Sequence, residues 1–175
     1  MQAHKLTTAA PQLVELIKAR GHITCALGCI VIVYSGRSPD AAYLDRSAGI
    51  VNAYGTKFPD GLGLMVLISA NEPPPDEPTR RAIQASYAAM QQSIRAAVLV
   101  VEGEGFVAAA KRSIITVLSL TNSLSFPIKV SGTPLDGAAK LAQLLGPRLA
   151  PGIDHESVAS AAAQIRRGVT SEFRT

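Results

Sequence analysis

Apolar positions along this chain follow two spacings in turn. Cys29 to Tyr34 is β-branched and almost continuously apolar, as a strand buried on both faces must be. Leu62–Ser69 and Ala97–Glu102 read as further buried strands, and Phe126–Ser131 as a final strand. The stretches between them switch to helical spacing. Asp40 to about Tyr54 carries Ala41, Leu44, Ala48 and Val51 on one side, and Glu77 to about Arg95 carries Ile83, Tyr87, Met90 and Ile94. A helix from Phe106 to about Ser123 follows, with Val107, Ala110, Ile114, Val117 and Leu118 inward, then one ending at Leu145 and a last one with Val158, Ala162, Ile165 and Val169.

The punctuation supports these boundaries. Ser38 can cap the first helix with Pro39 at its first position, and Asp76 can cap the second. Thr133-Pro134-Leu135-Asp136 supplies a cap, a first-turn proline and a box carboxylate. Gly146-Pro147 stops that helix and Asp154 caps the next. Pro11–Arg20 fits a helix through Leu13, Leu16 and Ile17 and equally the start of a strand, while His22–Leu27, with Gly28 as turn, forms a hairpin with the run from Cys29. The predicted class is α/β, a mixed and mainly parallel sheet covered by helices, with right-handed crossovers between the parallel strands. Residues 1–21 read as an N-terminal extension, 22–149 as the domain, and 150–175 as a C-terminal helical extension.

Composition adds limits. The 175 residues are 47% hydrophobic and 17% charged, enough apolar material for one core, and less charge than the roughly 25% of ordinary domains. The net charge of +4 is dispersed, with Arg80/Arg81, Lys111/Arg112 and Arg166/Arg167 as its largest groups. Nucleic acid is therefore not an expected partner, since a phosphate backbone needs a continuous basic face. Cys25 and Cys29 are too few for a disulfide framework, which fits a reduced cytoplasm. Met1–Leu6 lacks the apolar core of a secretory signal, and no apolar run is long enough for an integral membrane segment.

Candidate chemistry is sparse. Gly103-Glu104-Gly105 stands between a strand and a helix, a position able to receive a phosphate, yet Ala108 replaces the third glycine and Glu102 and Glu104 repel an anion, so a tight turn explains it. Cys25 and Cys29 fit buried inert thiols. His4, His22 and His155 are too scattered to converge on a metal and suit surface or capping positions. No Gly-x-Ser-x-Gly elbow occurs. The expectation is a protein that is not an enzyme, with no catalytic residues, no metal and no cofactor. Thr79, near a helix N-terminus, and Ser69, at the preceding strand end, are candidate phosphorylation sites. Ser113, Thr116, Ser119, Asn122 and Ser123 give the helix after Phe106 a face of short side chains, able to approach another chain or line a small pocket.

The order of elements resembles the STAS, or anti-sigma-factor-antagonist-like, domain and the wider STAS-like group related to lipid-binding CRAL-TRIO-type domains. The resemblance covers about His22 to Leu145. It is carried by Ile30-Val31-Ile32-Val33-Tyr34-Ser35-Gly36 leading into a helix, the strands Leu64–Ile68 and Val98–Val101, and Phe126-Pro127-Ile128-Lys129-Val130 before Leu135–Leu141. Phosphorylated STAS antagonists place an Asp-Ser-Ser-Gly-like segment after the central strand, whereas this chain has Ser69-Ala70-Asn71-Glu72-Pro73-Pro74-Pro75, so the phosphoserine switch does not carry over. The resemblance implies a cytoplasmic regulatory or scaffold module that docks protein partners and forms homo-oligomers, with Ser69, Asn71, Thr79, Phe106 and Ser119 as contact residues. The alternative is a carrier or sensor of a lipid or other small apolar ligand, held between the sheet and the helix from Phe106. A carrier needs a largely apolar cavity, and a docking module a filled core.

Overall fold

The computed structural model describes residues 11–69, 72–103 and 124–172. They form an α/β fold: a six-stranded mixed sheet of β1 (Leu13–Ala19), β2 (His22–Leu27), β3 (Ile30–Ser35), β4 (Leu62–Ile68), β5 (Ile94–Val101) and β6 (Ile128–Ser131), in that spatial order. β1–β2 and β2–β3 pair antiparallel, while β3–β4, β4–β5 and β5–β6 pair parallel. Four helices accompany the sheet among the described residues: α1 (Ala41–Gly55), α2 (Glu77–Met90), α3 (Pro134–Leu145) and α4 (His155–Glu172). The helix expected over Phe106–Ser123 falls outside the described residues.

Pro11–Arg20 resolves as a strand. β1 is the sheet's edge, and its register slips by one residue between Glu15 and Ile17, a bulge of the kind that blunts edge pairing. The hairpin expected around Gly28 is present, with that glycine at φ +54°.

Helix packing divides by face. α1 and α2 lie against each other on one side, while α3 packs on β4, β5 and β6 and α4 on β2 and β3. Leu64, Met65, Val98, Val100 and Leu67 are at most 1% exposed, which the double-sided cover explains. Gly63 and Gly137 set how closely α3 approaches. A Cβ on Gly63 would lie 2.7 Å from a methyl of Leu145, and one on Gly137 would lie 2.6 Å from a methyl of Val100. Neither position has a positive φ, so close packing rather than backbone conformation calls for glycine.

Two boundaries differ from the sequence pattern. The expected helix to Arg95 stops at Met90, because Ile94 enters the sheet opposite Leu62 and is 1% exposed. Burial in the sheet thereby outweighs the helical spacing of Ile94 with Met90. Ser93 Oγ donates to Asn52 Oδ1 at 2.7 Å and Asn52 Nδ2 to the Ala89 carbonyl at 3.0 Å, pinning this corner to α1. The α1 cap is Asp40 rather than Ser38, its Oδ1 accepting from the Tyr43 amide at 2.7 Å. Thr133 and Asp154 cap α3 and α4 as their positions predict, with the Asp136 amide donating to Thr133 Oγ1 at 3.2 Å and the Ser157 amide to Asp154 Oδ1 at 2.7 Å.

Gly137→Val should lower unfolding free energy by about 2 kcal/mol or more, because β-branched Val100 cannot rotate aside and overpacking typically costs about 1–3 kcal/mol. Urea denaturation followed by circular dichroism measures it.

Candidate functional site

Residues at every second position of the central strands face α1 and α2. Strand register places His22 opposite Ser35, Ser35 opposite Ile68, Val33 opposite Val66, and Val66 opposite Leu99. These side chains floor a cavity of about 250 Å³. Tyr43, Leu44, Ser47 and Val51 of α1 form one wall, and Ile83, Tyr87 and Met90 of α2 the other. Glu72 and Pro73-Pro74-Pro75 close one end beside Arg80. Proline lacks an amide hydrogen, so this triple-proline segment lines an apolar space without presenting donors that need partners.

The polar groups of the cavity stand on two sides, His22, Ser35, Tyr43 and Ser47 toward β2 and Glu72, Arg80, Gln84 and Ser86 on or before α2, with Thr24 behind the first group. Thr24 Oγ1 lies 3.0 Å from Tyr43 Oη and 3.4 Å from Ser47 Oγ, three hydroxyls that serve one another. Ser86 Oγ donates to the Leu44 carbonyl at 3.3 Å, tying the two helices together over the cavity. His22 is 4% exposed and stacks on Tyr43 with ring centroids 4.6 Å apart. Its Nδ1 lies 3.5 Å from Ser35 Oγ, which donates to the Arg37 carbonyl at 2.9 Å. Burial, helped by the neighbouring Arg37 charge, pushes the imidazole below its ordinary pKa, while Asp40 and the Ser38 backbone pull the other way. Burial also raises Tyr43 and Tyr87, for Tyr87 with a contribution from the Glu72 carboxylate. At the helix mouth, Glu77 binds Arg80 at 2.6 Å and Arg81 at 2.9 Å.

The surface or capping position expected for His22 is thus not what the fold gives it. β2 is an inner strand because β1 pairs along its far side, and α4 packs against it. The sequence signal available was the placement of His22 and Thr24 in an otherwise apolar strand whose six residues are all buried. Ser69 follows β4, half-buried, its amide donating to the Ser35 carbonyl at 3.0 Å. Thr79 sits in the first turn of α2, its amide and hydroxyl both bonded to Asp76, so a phosphate there would meet the capping carboxylate. The fold therefore puts Ser69 and Thr79 on the two sides of the loop bordering the cavity. Asn71, Phe106 and Ser119 lie outside the described residues, as do Glu104 and Gly105 of the glycine turn.

Both thiols are buried. Burial, with Glu15 adding to it, pushes Cys25 up to about 11, so it stays protonated. Cys29 Sγ accepts from the Ala150 amide at 3.4 Å. Glu102, at the end of β5, is 8% exposed with the Arg166 guanidinium of α4 3.2 Å away; burial raises its carboxyl pKa and Arg166 partly restores it. Among the described residues, no three His, Cys, Asp or Glu side chains gather as metal ligands, and no helix is long and apolar enough to cross a membrane. Comparison with protein-family models and with curated proteins finds no match.

Because folding lowers the pKa of His22, the unfolded chain binds more protons below the ordinary value of 6.5. The His22 contribution to stability is complete above that value and is lost as pH falls from it through the lower pKa of the folded state. Urea midpoints at about pH 7.5 and about pH 5 should differ less in His22→Phe than in wild type.

Proposed function

We propose that this chain binds a small, mostly apolar molecule between its sheet and the α1–α2 pair, as a carrier or sensor. The observation that carries this is the cavity of about 250 Å³ floored by Val33, Leu64, Val66 and Leu99. An apolar cavity of about 150 Å³ is enough to hold benzene. Scaled in proportion, this one suits a ligand of about ten non-hydrogen atoms. That is below the roughly 300 Å³ at which drug-sized pockets begin, and it disfavours a long acyl chain among the apolar ligands considered from sequence.

The polar lining supports the same reading. The hydroxyls of Thr24, Tyr43 and Ser47 bond one another and Arg80 is paired with Glu77, so an entering molecule need supply no countercharge to them. Apolar contact supplies the affinity, about 25 cal/mol for each Å² removed from water. The second hypothesis, docking of a protein partner or of a second copy, draws on the STAS-like order of elements and on the position of Ser69 and Thr79 at the ends of one surface loop.

Isothermal titration with p-xylene should give saturable binding, and Val66→Trp, which places an indole in the cavity, should abolish it while the protein stays folded by circular dichroism. Absence of p-xylene binding to wild type, together with retained solution mass of a defined oligomer, would favour docking instead.

A further inference from the structure

The end of the cavity beside the triple-proline segment holds a buried carboxylate, and its charge narrows the ligand; this step rests on the ligand-binding proposal. The chain leaves β4 through a turn in which the Glu72 amide donates to the Ser69 carbonyl at 3.1 Å, and Pro73 then disfavours helical backbone at Glu72. That turn and the prolines after it set Glu72 in the cavity lining, where it is 8% exposed. Among the described residues, Arg80 is the only guanidinium or ammonium of the lining. Its donors are already engaged: Nη2 and Nε donate to Glu77 Oε2 at 2.6 and 3.2 Å, and Nη1 to the Pro75 carbonyl at 3.5 Å. Glu77 also accepts from Arg81 Nε at 2.9 Å, so Asp76 and Glu77 balance Arg80 and Arg81 at the start of α2. Glu72 therefore sets the sign of the charge at this end. Burial and then the Glu72 charge raise the Tyr87 phenol, so that charge is felt at the α2 wall.

Whatever else Glu72 bonds, an ionised carboxylate has about four acceptor positions and no donor. It favours a group that brings protons and positive charge, and it repels a carboxylate or phosphate. Toward β2 the Thr24, Tyr43 and Ser47 hydroxyls serve one another and the buried His22 is held below its ordinary pKa, so charge selection falls to Glu72. We infer that the ligand is a small amine of one-ring size, its ammonium received by Glu72 and its hydrocarbon body lying on Leu64, Val66 and Leu99. Hydrogen bonds between an ammonium and a carboxylate are roughly twice as strong as neutral ones, and apolar burial of the ring adds to them.

The test compares benzylamine, benzyl alcohol, benzoate and p-xylene by isothermal titration at about pH 7.5 against wild type and Glu72→Gln. The first three share a ring and one substituent and differ in charge. Benzylamine should bind wild type about tenfold or more tightly than benzyl alcohol, with benzoate weakest, the worth of a hydrogen bond to a charged group. In Glu72→Gln that margin should vanish while p-xylene affinity is retained. Equal binding of benzylamine and benzyl alcohol to wild type, or tighter binding of benzoate, overturns the amine assignment and leaves the cavity proposal standing. So does a margin that survives in Glu72→Gln, or one that disappears in about 0.5 M sodium chloride, as attraction by the exposed Asp76 and Glu77 would. Failure of all four to bind wild type overturns both. If Glu72→Gln does not fold, the wild-type order of benzylamine, benzyl alcohol and benzoate, with its salt dependence, decides the assignment alone.

Discussion

Parallel pairing of β3, β4 and β5 is the constraint from which the rest of this molecule follows. Parallel neighbours cannot be joined by a tight turn, so each connection must leave the sheet, cross over it and return. α1 and α2 are those crossovers, and because the strands run in sequential order both lie on one face, against each other. The opposite face is left to the chain that follows β6, which α3 and α4 cover. Their approach depends on two glycines, Gly63 under Leu145 and Gly137 over Val100, where a single methyl group would collide. One face is thereby packed tightly. On the other, two helices bridged by Ser86 and Asn52 stand over the sheet and leave a space between.

That space has an uneven lining for a physical reason. Central strands β4 and β5 contribute only Leu64, Val66, Ile68 and Leu99, since polar side chains there would lack partners. Polar residues survive toward β2, where helix α1 brings Tyr43 and Ser47 into range of Thr24 and His22. The triple-proline loop completes the apolar side without surplus amide donors. A mainly apolar chamber with a few polar groups at its margins is the arrangement by which small-molecule sites fix orientation while drawing affinity from burial.

Much of the architecture was legible in the sequence because it depends on local rules. The β-branched run at Cys29–Tyr34 and the apolar run at Leu62–Ile68 are buried as strands, and Thr133-Pro134-Leu135-Asp136 and Asp154 cap helices with atoms a few residues away. The errors arose where local and tertiary demands conflict. Ile94 continues a helical stripe but is claimed by the sheet, and Asp40 outcompetes Ser38 because its carboxylate reaches the Tyr43 amide. His22 suits a surface or capping position by its isolation in the sequence but is buried, because β1 pairs along the far side of its strand.

By itself, then, the sequence determined the α/β class, the strand and helix alternation and most caps, since each is set by spacing or propensity within a short window. Tertiary structure alone decided that His22, Ser35, Val66, Leu99, Tyr43 and Tyr87 surround one cavity. Those residues come from four strands and two helices, and strand register together with helix separation brings them together. No local pattern encodes the distance between a helix and a sheet, which is fixed by the summed packing of both faces.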